Sequence, residues 1–372
     1  MMPAVIVPAP DALPLPAPVF LLQILLHLTF LMHLVAMNAL LGGLILTFYA
    51  RLKGGDPSTP WTKLADALSK VTPSLVAATV TLGVAPLLFL QTIYGQFFFT
   101  SSILMGWGWF SVVVVLIFAY YGTYLQSFKG RALGGSRTPL LGVTLLLFLW
   151  IGFMFSNNTS LMLNMKEWAA MYFASPKGLH LNLGDAQLAP RYLHMVLGSV
   201  AVAGLMLAWW GRARVRAADQ SGEFMVSVGM KAFTWLTLVN ILMGLWYYMA
   251  QPAYVRKLFM GGDITATALF GVGFVLGIVM VVAGFLGRKH GSRIELWPLT
   301  MLTLIQLVTM IMMRDTVRNG TLGADFRPAT FEVQPQVLNL VIFAVMLVGG
   351  LVLLFWMLRQ FYVAWNRKAG GR

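Results

Sequence analysis

Nine apolar runs, approximately 18–50, 72–99, 103–126, 139–156, 191–211, 230–250, 265–287, 295–313 and 338–362, occupy most of this 372-residue chain. Their length is near or above the roughly 20 residues that a helix needs to cross a hydrocarbon core. No water is available there, so a spanning backbone must satisfy its own N–H and C=O groups, as a helix does. The expected fold class is all-α, a polytopic membrane helical bundle of about nine transmembrane helices. With 59% hydrophobic and 10% charged residues, the chain has no length left for a separate soluble domain. The expected division is an extracytoplasmic N-terminal extension, 1–17, and a single transmembrane domain, 18–372. The extension is rich in alanine and proline and has no lysine or arginine, unlike a secretory signal.

The net charge of +14 raises the question of nucleic-acid binding, and its distribution answers it. Arg51, Lys53, Lys63 and Lys70 separate the first two runs. Lys129, Arg131 and Arg137 follow the third, Arg212, Arg214, Arg216 and Lys231 the fifth, and Arg288, Lys289 and Arg293 the seventh. Arg359, Arg367, Lys368 and Arg372 close the chain. Positive charge is thus concentrated in alternate connections, the pattern of cytoplasmic loops. It predicts an N-terminus outside and a cytoplasmic C-terminus, and the expected localisation is a bacterial inner (cytoplasmic) membrane. The charge sets topology, and no nucleic-acid partner is expected. The partner implied by composition is membrane lipid.

Cysteine is absent, which excludes disulfides, iron–sulfur ligation and thioether attachment of a c-type haem. None of the 12 acidic residues falls at the centre of a run, which weighs against a proton pump or ion-coupled transporter. The sequence shows no convincing internal repeat.

Five histidines remain. His33 lies inside the first apolar run and His194 inside Arg191-Tyr-Leu-His-Met-Val-Leu-Gly-Ser-Val200. At about 1.5 Å per residue, His33 lies roughly 27 Å from Arg51, near the outer edge of the hydrocarbon layer. His194 begins its helix from the same side, His27 lies at the outer interface and His180 in an outer loop, whereas His290 is cytoplasmic. A lone histidine in such a place is ordinarily a packing or interfacial residue. Four at one level point to a site, and imidazoles without adjacent carboxylates suit a metal, here haem iron. His27 and His33 are about 120° apart around their helix, so they cannot grip one metal from the same face.

The motifs resemble subunit I of the cytochrome bd quinol oxidase superfamily along most of the chain. Leu28-Thr-Phe-Leu-Met-His33 with Gly42 is similar to the family's first-helix haem-ligand motif. Leu82-Gly-Val-Ala85 with Gln91 and Gly95-Gln96 is similar to its second helix, and Asn157-Asn-Thr-Ser-Leu-Met162 to its Asn-Ser-Trp-Met segment. Arg191 to Ser199 resembles the helix that carries the low-spin haem histidine. Gln251-Pro252 and Arg256-Lys-Leu-Phe-Met260 resemble the start of the quinol loop.

The resemblance implies one or two haem b groups and a quinone or quinol, with His194, His33 and His27 as metal ligands. It also marks departures. The quinol loop is short, and Leu269 stands where the family has a methionine ligand. Ile311 stands where it has a glutamate ligand, and the third helix lacks its acids. Leucine and isoleucine offer no lone pair, so oxygen reduction is not expected. The sixth ligand of the His194 haem stays open: Met260, Met310, Met312 and Met313 all lie toward the outer side, and His27 or His33 reaching across is the more economical choice.

Quinol oxidation releases protons, so acceptors are needed near water. Asp315, Asp263 and Glu332 are the candidates. Arg314, Arg256, Lys257 and Arg318 are suited to haem propionates. The expected function is a b-type membrane cytochrome, an oxidoreductase moving electrons between quinol and an extracytoplasmic c-type cytochrome. The alternatives are a divergent bd-type quinol:oxygen oxidoreductase and a haem-free membrane anchor or transporter subunit.

Overall fold

The computed structural model describes residues 7–8, 14–130, 132–288, 291–323, 326, 328 and 331–370. Asp11, His290, Asp325 and most of the 1–17 extension lie outside the described residues. Among the described residues, nine helices are long and apolar enough to cross a membrane. They are α1 (Val19–Gly54), α2 (Pro60–Leu104), α3 (Gly106–Phe128), α4 (Arg137–Leu163), α6 (Leu188–Arg216), α7 (Ser221–Met249), α9 (Ile264–Arg288), α10 (Leu296–Leu322) and α11 (Val337–Gly370). Two short helices, α5 (Trp168–Ala174) and α8 (Ala253–Lys257), sit in connections.

The helices outrun the apolar stretches because hydropathy measures what lipid tolerates, not where hydrogen bonding stops. In α2 the polar turns from Pro60 to Val71 are helical too. Thr59 caps them, its Oγ1 accepting from the Thr62 N–H at 3.2 Å, and Pro60 occupies the first turn, where no N–H is needed. Pro73 and Pro86 lie inside α2, and the backbone leaves helical geometry at Tyr94, with φ −122° and ψ 28°.

Small residues set the closest approaches. A Cβ on Gly204 would meet Gly229 O at 2.7 Å, and one on Gly211 would meet Gly222 O at 2.7 Å. The converse clashes hold for Gly229 and Gly222, so α6 and α7 touch backbone to backbone at two places. Between α1 and α6, a Cβ on Gly42 would run into Ser199 O and lie 2.7 Å from the Ala203 Cβ.

Two similar sets of four long helices follow from this packing. α1 packs on α2 and α3 on α4, α6 packs on α7 and α9 on α10, and the α1–α6 contact joins the sets. α11 lies at the periphery with its large apolar side chains exposed, as a lipid-facing helix has them. Just before α1, the chain is tied down. Leu15 N–H donates to Glu332 O at 2.8 Å and Gln334 N–H to Leu15 O at 3.0 Å, with Leu15 and Ala17 buried.

Candidate haem and quinol site

Two histidines occupy matching seats. On α1, His33 Nδ1 lies 3.0 Å from Thr79 O of α2, 46 residues away. One helical turn further along α2, Gly83 leaves room for the ring: a Cβ there would lie 2.9 Å from Cε1 and from Nδ1. On α6, His194 Nδ1 lies 3.2 Å from Asn240 O of α7, again 46 residues away. One turn further along α7 is Gly244, whose Cβ would lie 3.2 Å from His194 Cε1. A carbonyl only accepts, so the proton sits on Nδ1 and each neutral ring presents its Nε2 lone pair. A hydrogen bond of this kind orients metal-ligating imidazoles.

Opposite His194, Met310 of α10 brings its Sδ to 3.2 Å from Nε2. At that distance the two atoms are in direct contact, so a bound group has to part α6 and α10 locally. Several polar atoms on the elements around this seat are buried without a partner: Arg191 Nη1, Asn240 Oδ1, Gln251 Oε1 and Gln306 Oε1. Arg191 lies one turn before His194, with Nε donating to Tyr247 Oη at 3.2 Å and the guanidinium stacked 5.4 Å over the Tyr247 ring. The imidazole and the unpartnered guanidinium N–H are of the kind that hold a haem and its propionates, while the Met310 contact leaves no gap for an iron between Nε2 and Sδ.

His27 belongs to a different cluster. Its Nε2 lies 3.6 Å from Asp315 Oδ1 of α10. Asp315 also pairs with Arg318 one turn on and accepts from Asn319 Nδ2 at 3.0 Å. Tyr94, at the irregular point of α2, donates to Asn319 Oδ1 at 2.9 Å, and Arg318 stacks 4.0 Å over its ring. Arg314 lies 4.5 Å over the Phe30 ring. Together Leu26, His27, Phe30, Ile311, Arg314, Asp315 and Arg318 line a small cavity of about 10 Å³, room for about one water. Successive turns of α10 therefore present Met310 to His194, then Arg314 and Asp315 to this cavity.

The remaining sequence candidates are used locally. Asp263 accepts from the Ala266 N–H at 2.7 Å and caps α9. Glu332 is exposed and offers its backbone carbonyl to Leu15. Arg256 Nη1 donates to Met249 O at 2.9 Å, and Lys257 is exposed. Sequence reasoning missed Gly244, and it quoted Gly83 and Arg191 within motifs without giving them a role. The signal that could have found the seats is the equal distance from each histidine to its glycine.

No family model matches the sequence, and no curated protein matches it. A solved structure does, "The structure of bd oxidase from Geobacillus thermodenitrificans", with a TM-score of 0.67, 12% identity, and coverage of 94% of this chain and 100% of that one. The fold is that of a bd oxidase chain. The resemblance expected from the motifs is therefore present in the architecture along nearly the whole chain. The nine expected spans are present as nine candidate membrane helices among the described residues.

Proposed function

We propose that this chain is a b-type haem membrane cytochrome that moves electrons between membrane quinol and an extracytoplasmic acceptor, a c-type cytochrome. The observation that carries the reading is the doubled histidine seat, in which His33 and His194 are each anchored through Nδ1 to a carbonyl of the next helix, leaving Nε2 as the lone-pair nitrogen. Matched imidazoles anchored in this way support a metal-ligand reading over a packing one. A haem bound there supplies one-electron transfer. It is held without covalent attachment, because the chain has no cysteine.

The protein's own residues do the rest. Thr79 and Asn240 fix the tautomers, Gly83 and Gly244 admit the rings, and Arg191 offers its free N–H groups to a propionate. The small cleft beside His27 marks where the edge of a quinol head group would dock, with Leu26, Phe30 and Ile311 as apolar contacts and His27, Arg314, Asp315 and Arg318 as polar ones. Asp315, with His27 Nε2 3.6 Å from its Oδ1, accepts a hydroxyl proton as the quinol is oxidised. Asp263, already a helix cap, and Glu332 are left without that role. Ile311 on the cavity wall gives no ligand for a second iron, so the reading stops at electron transfer and does not include oxygen reduction. The histidine end of the bundle faces outward in a bacterial cytoplasmic membrane.

A haem extraction and a reduced-minus-oxidised spectrum on the purified chain test this reading. The expected result is b-type bands, with His194→Ala removing one haem's contribution while the protein still inserts. A wild-type chain without b-type bands overturns it.

A further inference from the structure

We infer that a cleft between α3, α4 and the loop 175–181 holds one acyl chain of an anionic phospholipid, with Lys177 pairing to its phosphate. The inference is independent of the haem reading.

The cleft has a volume of about 220 Å³, against about 10 Å³ for the cavity beside His27. Trp107, Gly108 and Ser111 of α3 and Trp150 of α4 line it, and the loop adds Leu179 and Leu181. Its polar groups are engaged within the protein. Ser111 Oγ donates to Gly108 O at 2.6 Å and accepts from Trp150 Nε1 at 3.1 Å. His180 and Met105 also reach the cleft. His180 Nε2 donates to Ser175 O at 2.7 Å, and Met105 Sδ accepts from Asn157 Nδ2 at 3.4 Å. What these bonds leave facing the space is mainly hydrocarbon. An apolar cavity of roughly 150 Å³ already stays dry and takes up a small hydrocarbon.

The loop is tethered on both sides of its leucines. Trp107 N–H donates to Gly178 O at 3.0 Å and His180 N–H to Leu104 O at 3.1 Å, which satisfies the backbone where α2 gives way to α3. Asn182 N–H donates to Asn157 Oδ1 at 2.8 Å and Asn182 Nδ2 to Ser160 Oγ at 2.8 Å, with all three side chains buried. Leu179 and Leu181 are thereby held exposed at the cleft. A loop free to move would bury them, whereas this one presents them.

Trp107 also begins a strip of exposed apolar side chains, with Phe110, Val114 and Ile117 following at helical spacing on one face of α3. On a helix suited to crossing a membrane, such a face meets acyl chains. The cleft continues that face, so a chain is the apolar group at hand. Charge at its edge selects the head group. Between Trp168 and Gly184 the one acidic or basic residue is Lys177, exposed and next to Gly178. The nearest acid along the chain, Asp185, already accepts from Ser160 Oγ and from the Gln187 N–H. An ammonium so placed matches a phosphate and favours an anionic lipid over a zwitterionic one.

The test uses the full chain, purified in detergent, stripped of native lipid and titrated with palmitoyl-oleoyl phosphatidylglycerol or the matching phosphatidylcholine. Native mass spectrometry counts bound lipid, and thermal unfolding follows the rise in midpoint that a ligand of the folded state produces. One tight phosphatidylglycerol is expected, with phosphatidylcholine weaker by about fivefold or more. Lys177→Glu should abolish that preference, and Lys166→Glu, exposed in the same connection, should keep it. Ser111→Phe fills the cleft and should lose the tight lipid whatever its head group. Leu181→Asp, on the loop, should do the same and keeps the test open should the phenylalanine variant not fold. A wild type without a tight lipid, equal binding of the two lipids, or a preference that survives Lys177→Glu overturns the inference. So does undiminished binding by a folded cleft variant, or displacement of the phospholipid by an equimolar long-chain quinone. Each of these outcomes leaves the haem reading as it stands.

Discussion

Gly83 and Gly244 matter because imidazole rings occupy the space their side chains would fill. A Cβ at Gly244 would press on His194 Cε1 from 3.2 Å, and larger groups would drive the ring off its carbonyl. Gly244→Val should therefore cost most of the haem bound at this seat, together with about 1–3 kcal/mol of overpacking. Gly43, which has nothing within 4 Å of its virtual Cβ, is the matched control. Gly43→Ala is expected to change stability by no more than about 1 kcal/mol and to leave the spectrum unchanged. Haem-to-protein ratio after purification checks both, and equal haem loss in the two variants would contradict the seat. At this scale the sequence marked His33 and His194, since imidazoles stand out in apolar runs. It could not choose Met310 among 23 methionines or Gly244 among 36 glycines, because facing is a tertiary property. For His27, helix geometry separated it from His33 by angle. What stands opposite, Asp315 of α10, is set by packing between helices far apart in the chain.

At the level of elements, the number of spans was legible because a bilayer imposes a minimum apolar length on each. The ends were not, because caps and polar turns extend a helix beyond the lipid. The way helices pair was equally hidden. Gly204 and Gly211 on α6, and Gly222 and Gly229 on α7, read in sequence as scattered small residues, and only their reciprocal contacts make them a seam. In lipid, apolar helices gain little from hiding apolar surface, so close backbone approach carries more of the association. Gly204→Leu should force α6 and α7 apart, with a cost of about 1–3 kcal/mol or more from overpacking. Because His194 and Asn240 face each other across the same pair, haem retention should fall with stability. Thermal unfolding in detergent, followed together with the haem spectrum, checks the coupling. Stability falling with no effect on the spectrum would mean that the seam and the seat are independent.

For the molecule as a whole, two helix sets run in the same order and carry the same histidine–carbonyl–glycine arrangement, yet the sequence shows no convincing repeat. The bd oxidase fold persists here at 12% identity. Membrane packing requires apolar faces and a few small residues, and many sequences satisfy that. The same tolerance lets Leu269 and Ile311 stand where the resemblance expects ligands while the fold is kept. The expected orientation rests on charge alone, and the absence of cysteine makes it directly measurable. Ser58, in the basic connection between α1 and α2, and Lys177, between α5 and α6, are both exposed. In intact cells or right-side-out vesicles, a membrane-impermeant maleimide should label Lys177→Cys and spare Ser58→Cys until the membrane is opened. The reverse pattern would put the histidine end on the cytoplasmic side. It would exclude an extracytoplasmic electron partner while leaving both histidine seats as they are.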